Sequence, residues 1–451
     1  EEALAAADEA LRVQPWYRPA VQARAHLLTL LNRDDEAFAF LTEAAQRIEC
    51  PALYWQLGGI YYEREDYARV AWCLDQFEAM SPLLERTAGH AFHGLRSFLA
   101  YLSGDDQAAI DWARRSRNDQ DQAWIERLLD PQRMHRPRRV LPVGFVGQHY
   151  ITCGPSTLAS LGRYWSMPAD HLEVAEQICY DGTTDLSERR WAETHGWAVR
   201  EFTVTEAAAE AAVAAGVPFA LTTKQPNAGH LQAVVGYDGR RGSLILRDPS
   251  SRYRREVLAD EFLEHYAAFG PRGMAMVPAA RAELLAQLDL TDAPLWDQRY
   301  RFLLALERHA REEAAEILAQ MQAAAPDHPL TWHVELQLAA YDGNPQAQLA
   351  AVEKLLARFP KDAVLQLNRL SLLRNMSRRH ALLETLAQLS SNPEADSVFL
   401  LLYAQELAAD ARQHELALTL LRKALRKRPS DPQAYHTLAE LYWGRQQFAE
   451  A

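Results

Sequence analysis

Apolar positions recur at helical spacing through the first and last thirds of the chain, and only the stretch between them changes period. Prolines at 15, 51 and 82 are spaced 36 and 31 apart in the first third. In the last third Pro326, Pro360, Pro393 and Pro429 are spaced 34, 33 and 36 apart, each closing an amphipathic helix such as 346–359. Proline lacks the N–H that a helix interior needs, so regular prolines mark regular helix ends. The middle predicts a helix from Cys153, a second near 168–180 and mixed structure to 204. A third helix is expected over 206–215, capped by Thr205 and ended by Gly216. Apolar, β-branched runs then predict strands at 217–222, 230–237 and 243–248, with a last one near 273–277. An opening helix followed by strands is an α+β pattern.

The helical thirds repeat. After Pro51 come Tyr54-x2-Leu57-Gly58-x2-Tyr61, then Leu74 and Pro82, and the last unit has Tyr435-x2-Leu438-Ala439-x2-Tyr442. This resembles the 34-residue tetratricopeptide unit. Gly58 would let paired helices approach closely, aromatic residues would fill the groove between them, and Pro82 would end the second helix. The expected layout is helical repeats over 1–130, a basic, proline-bearing linker over 131–140, an α+β domain over 141–278 and further repeats over 285–451. Ala3, Ala7, Ala10 and Pro15 read as the second helix of a unit, and Ala451 falls where a second-helix alanine belongs. Both ends thus read as cuts within a repeat, which leaves open a targeting signal ahead of the first residue.

Composition narrows the function classes. The 451 residues suit two to four domains, and 48% apolar with 24% charged residues is ordinary globular usage. No apolar run reaches the roughly 18–20 residues of a membrane span. A net charge of −12 argues against nucleic acid as a general partner and favours cationic or neutral ones. Cys50, Cys73, Cys153 and Cys179 offer neither a disulfide framework nor metal-ligand spacing, and fit a reducing compartment. No cofactor and no metal are expected.

Candidate chemistry begins at Gln148-x4-Cys153-Gly154-Pro155. Pro155 suits a first helical turn, so Cys153 would sit at a helix N-terminus, where the partial positive charge favours a thiolate. Gln148 could return its amide as an oxyanion donor. Further on, two apolar runs flank Asp238-Gly239, a hairpin signal. A hairpin centred on Gly239 places Asp248 opposite His230, close enough to fix the ring tautomer while the other nitrogen faces the cysteine. Each residue has a plainer reading alone: Cys153 a core cysteine, His230 a satisfied strand histidine, Asp248-Pro249 a turn, Gln148 a surface glutamine. Arg247, Arg252, Arg254 and Arg255 read as a solvated strand face rather than an acidic-peptide contact.

Together these pieces, with Gly216-Val217-Pro218 before a strand, Gly229-His230 opening one and the tail from Glu261 to Val277, resemble the papain-like cysteine peptidases that process bacteriocin precursors after a double glycine. The resemblance covers about a third of the chain. It implies Cys153 as nucleophile, His230 as general base, Asp248 as its orienting partner and Gln148 as oxyanion donor. It also implies a bacterial, cytoplasmic hydrolase. Neither the membrane-spanning bundle nor the GxxxxGK[ST] loop of the export ATPases commonly fused to such peptidases has a counterpart here. The expectation is a cysteine peptidase whose repeats recruit a peptide or protein; the alternative is a repeat scaffold keeping the peptidase fold as a binding module.

Overall fold

The computed structural model describes residues 1–451 apart from 32, 82, 227, 448, 450 and 451. The expected helix-closing Pro82 and the alanine at 451 therefore lie outside the described residues.

Among the described residues, eight helices come first: α1 (Glu2–Val13), α2 (Arg18–Leu30), α3 (Asp34–Arg47), α4 (Pro51–Glu63), α5 (Tyr67–Met80), α6 (Arg86–Leu102), α7 (Asp106–Ser116) and α8 (Asp119–Leu128). They pack in sequence-adjacent pairs. A Cβ at Gly58 would lie 3.2 Å from the Cys73 Cβ, so glycine permits the close approach of α4 and α5. Tyr54, Leu57 and Tyr61 are buried between helices, and the Tyr54 hydroxyl donates to Ala45 O at 2.9 Å.

The middle contains β1 (Arg138–Val140), α9 (Cys153–Tyr164), α10 (His171–Ile178), α11 (Asp185–Thr194), β2 (Trp197–Thr203), α12 (Glu206–Ala214), β3 (Phe219–Gln225), β4 (Ala228–Asp238), β5 (Ser243–Arg247), β6 (Arg255–Leu258), α13 (Ala259–His265) and β7 (Arg272–Pro278). The strands form one antiparallel sheet in the order β2-β7-β3-β4-β5-β6, and β1 also pairs with β4. Several elements fall outside the sequence expectation, α13 among them. The mixed stretch before residue 204 holds α11 and β2, and β6 follows the hairpin. The segment expected as a linker ends in β1, which continues along β4 where β3 stops. Gly236 makes that pairing possible, since a Cβ there would lie 2.5 Å from Arg139 O. Helix α9 packs on β4, with Leu158 and Leu161 in a core shared with Phe202, Phe219, Val234 and Met276.

The chain closes with α14 (Glu283–Ala286), α15 (Ala293–Glu307), α16 (Arg311–Ala324), α17 (Pro329–Tyr341), α18 (Pro345–Arg358), α19 (Ala363–Asn375), α20 (Arg379–Ser391), α21 (Ser397–Ala408), α22 (His414–Lys427) and α23 (Pro432–Gly444). Pro326, Pro360, Pro393 and Pro429 each stand two residues past the last residue of α16, α18, α20 and α22. The architecture is helical solenoid segments flanking an α+β domain. Among the described residues no helix is long and apolar enough to cross a membrane.

Candidate active site

Cys153 is the first residue of α9, after Thr152 at the cap position. Its N–H is one of the orphan donors of a helix start, and no backbone carbonyl takes it among the described residues. The Thr152 hydroxyl accepts the His149 N–H at 2.8 Å, which fixes the turn into the helix. Thr157, one turn on, donates its hydroxyl to Leu231 O at 3.0 Å and ties α9 to the residue after His230.

His230 lies on β4, paired with Thr223 of β3. Its Nε2 is 3.0 Å from Asp248 Oδ1, one residue beyond β5. The expected register is corrected here. The hairpin turns through four residues, Gly239–Gly242, and Asp238 pairs with Ser243. At that register Asp248 would oppose Ala233 and point to the other face from His230. Val235, skipped between Val234 and Gly236, is the extra residue of a bulge, and beyond it Ala233 pairs with Arg247. Continued one step, Asp248 opposes Gln232, which shares a face with His230. The bulge thus turns the aspartate to the histidine's side, and the two meet as diagonal rather than direct neighbours.

Asp248 has two further partners that the sequence reading missed. Ser250 donates its N–H and hydroxyl to Oδ1 at 2.8 and 2.6 Å, and Arg255 Nη1 donates to Oδ2 at 2.9 Å. Asp-Pro-Ser is the sequence signal for the first, because an aspartate commonly accepts the N–H two residues on. Nothing local signals the second, which comes from β6. The solvated-face reading of the four arginines is corrected too: Arg247 is buried and donates to Arg252 O, Arg252 pairs with Asp34, Arg254 with Glu65, and Arg255 with Asp248.

Burial pushes the Cys153 thiol up, but interactions with the His230 side chain and the Leu231 backbone outweigh it and leave the thiol below its ordinary value. For His230 burial acts downward, and the hydrogen bonds to Asp248 and then to Cys153 lift the ring to about 9. Burial pushes the Asp248 carboxyl up, but His230 and Ser250 more than reverse this and hold it well below the carboxylate range. The three groups therefore favour thiolate, imidazolium and carboxylate together.

Gln148 is brought near by its backbone, whose N–H donates to Pro249 O at 3.0 Å. Among the described residues its buried side-chain Oε1 has no hydrogen-bond partner, and the side chain forms no hydrogen bond with Cys153, His230 or Asp248. Cys179 donates to Ile151 O at 3.4 Å, and no described group of His, Cys, Asp and Glu side chains could hold a metal ion.

Residues 140–274 match the model of the Peptidase_C39-like family. A comparison with curated proteins finds no match. Among solved structures, the peptidase domain of Streptococcus ComA, described as a bi-functional ABC transporter involved in a quorum-sensing pathway, is 20% identical at a TM-score of 0.26, covering 30% of this chain and 98% of that one. Yeast Tom70 is 12% identical at 0.27, covering 96% and 90%. The human IFIT1 dimer with m7Gppp-AAAA is 12% identical at 0.30, covering 88% and 82%. Residues 140–274 thus resemble the Peptidase_C39-like family, set between runs of tetratricopeptide-like helical repeats.

Proposed function

We propose that the chain is a cysteine peptidase acting on a peptide or protein recruited by its flanking repeats. One observation carries this reading: the 3.0 Å contact of His230 Nε2 with Asp248 leaves Nδ1 for the thiol of Cys153 at the start of α9. A domain that served only as a scaffold has no use for that alignment. Cys153 Sγ attacks the scissile carbonyl and a C–S bond forms. The resulting oxyanion is held by the free N–H of Cys153 and, once its side chain turns, by the Gln148 amide. His230 delivers its proton to the leaving amine as the C–N bond breaks. Water then attacks the thioester with His230 as base, and the thiolate leaves. The free cysteines fit a reducing, cytoplasmic setting.

The test is alkylation and turnover on one set of variants. Cys153 should react with iodoacetamide below the pH an ordinary thiol needs, while Cys50, Cys73 and Cys179 react slowly. Cys153→Ala and His230→Ala should abolish turnover, and Gln148→Ala should cost roughly 10²–10³ in rate. Wild-type turnover from His230→Ala sinks the triad reading, and absence of turnover from the unmodified chain leaves the scaffold alternative.

A further inference from the structure

The N-terminal repeats and the outer strand of the sheet enclose a cavity of about 920 Å³, within the ~300–1,000 Å³ range of ligand pockets. Helices α4, α6 and α8 line one side, and residues Tyr253 to Val257 line the other. Tyr62, Phe98 and Trp124 supply aromatic walls. Gly59 leaves part of the space open, since a Cβ there would meet nothing within 4 Å.

The charges around it are unevenly spent. Arg254 is paired with Glu65 and Arg255 with Asp248, both acids outside the lining. Glu256 is paired with Arg138 and Arg241. Two lining acids, Glu63 and Asp121, form no ion pair among the described residues. Asp121 is 4% exposed and hydrogen-bonded to Ser116. Burial pushes both carboxyls up, outweighing Arg252 and Arg64 near Glu63 and the Ser116 hydroxyl and Arg241 near Asp121, none of which forms an ion pair with them among the described residues. Aromatic faces and unpaired carboxylates share one preference, for a cation. The same chemistry operates one layer deeper, where the buried Arg241 guanidinium lies 3.2 Å over the Trp124 ring.

We propose that this cavity binds a lysine or arginine side chain of an incoming peptide, with Glu63 and Asp121 as counter-charges and the aromatic rings as walls. That this peptide is the substrate rests on the peptidase reading; the cation preference does not. Arg255 joins the two sites, lining the cavity while it donates to Asp248.

The experiment uses the full chain with Cys153→Ala, so that binding is read without cleavage. Fluorescein-labelled peptides Gly-Gly-Ala-X-Ala-Gly-Gly, with X as Arg, Lys, norleucine or Glu, are titrated by fluorescence anisotropy at low and high salt. The Arg and Lys peptides should bind about tenfold or more tighter than the Glu peptide, a difference of about 1.4 kcal/mol, and should weaken with salt. Gly59→Trp fills the cavity and should remove that binding; Glu63→Gln should reduce it several-fold and keeps the test readable if Gly59→Trp fails to fold in a thermal melt. Equal binding of the Arg and Glu peptides, or unchanged binding in both variants, overturns the proposal. Charge-selective binding alongside an inactive wild-type chain overturns the peptidase reading alone.

Discussion

The repeats join the sheet domain at two places, and the two joints are built from different physics. On the C-terminal side the central charges are buried, with Arg190–Glu307 and Arg200–Asp297 as open pairs at the rim. Arg272 and Glu201 are each 2% exposed and Glu188 4%, and Arg189 links Glu201 to Asp297 of α15 while Arg299 of α15 reaches Asp185. On the N-terminal side each ion pair sets a partly covered arginine against an open acid: Arg127 with Asp260, Arg240 with Asp106, Arg252 with Asp34 and Arg254 with Glu65. Asp238 is the exception, fully buried and held by Tyr101 and Arg138. A buried network is costly to break, because removing one partner strands the others without water, whereas an exposed pair contributes little. The C-terminal joint therefore bears on stability. The N-terminal joint, which includes Arg255 and the cavity, bears on the site.

The sharpest break of this contrast is Arg272→Met. It leaves Glu188 and Glu201 without their shared guanidinium and should cost about 3–5 kcal/mol in urea unfolding. A loss under about 1 kcal/mol would mean that the network relaxes or hydrates, and the C-terminal joint would lose its distinction.

Asp248→Asn should act on titration rather than on fold. Asp248 is the first contributor that lifts His230 to about 9, so the alkaline limb of turnover should move down from about 9 toward 6.5 in the variant. The sign for stability follows: a histidine raised in the folded state contributes fully below 6.5 and loses that contribution as pH rises through about 9. Thermal melts of wild type and variant should therefore differ most just below pH 6.5, and the gap should narrow as pH rises through about 9 to the part owed to Ser250 and Arg255. A gap that does not narrow between those limits separates Asp248 from His230.

How far the sequence reached depends on how local each signal is. The helix start at Cys153 was legible because Gly154-Pro155 and the apolar spacing after it act within one turn. The repeat period was legible from prolines that act on their own helices. The strands at Trp197–Thr203 and Arg255–Leu258 were not, since β6 shows a mixed rather than alternating burial pattern and β2 has its polar Glu201 buried by a distant arginine. A hairpin centred on Gly239 pairs His230 with Asp248, whereas the hairpin has a four-residue turn over 239–242 and a bulge at Val235. Those departures together still leave both side chains on one face. Arg255 at Asp248 was out of reach, since only the β5–β6 pairing brings it there.

Arg255→Gln tests the N-terminal side with a smaller effect. The guanidinium takes Asp248 Oδ2 while His230 and Ser250 share Oδ1, so its loss frees one edge of the carboxylate without removing it. Turnover should fall about 3- to 10-fold, or about 0.7–1.4 kcal/mol in barrier, and Arg255→Lys should restore part of it. A purely structural role would lower the melting temperature and leave kcat alone.

The smallest effect separates the joints most cleanly. Arg127 donates to Asp260 at 2.6 and 2.8 Å, and that acid's side chain is 61% exposed. Arg127→Ala should therefore cost about 1 kcal/mol or less, and less still at high salt. Arg127 also donates to Arg241 O and Gly242 O at 3.0 and 2.7 Å, which holds the hairpin turn. The two contributions respond differently to charge: Asp260→Asn removes the ion pair and keeps the backbone contacts. If Arg127→Ala costs more than Asp260→Asn, and that excess persists in salt, the joint is held by the turn carbonyls rather than by its surface charges. If the two variants match and both effects vanish in salt, the N-terminal joint is electrostatic throughout, and ionic strength should loosen it without touching the Arg272 network.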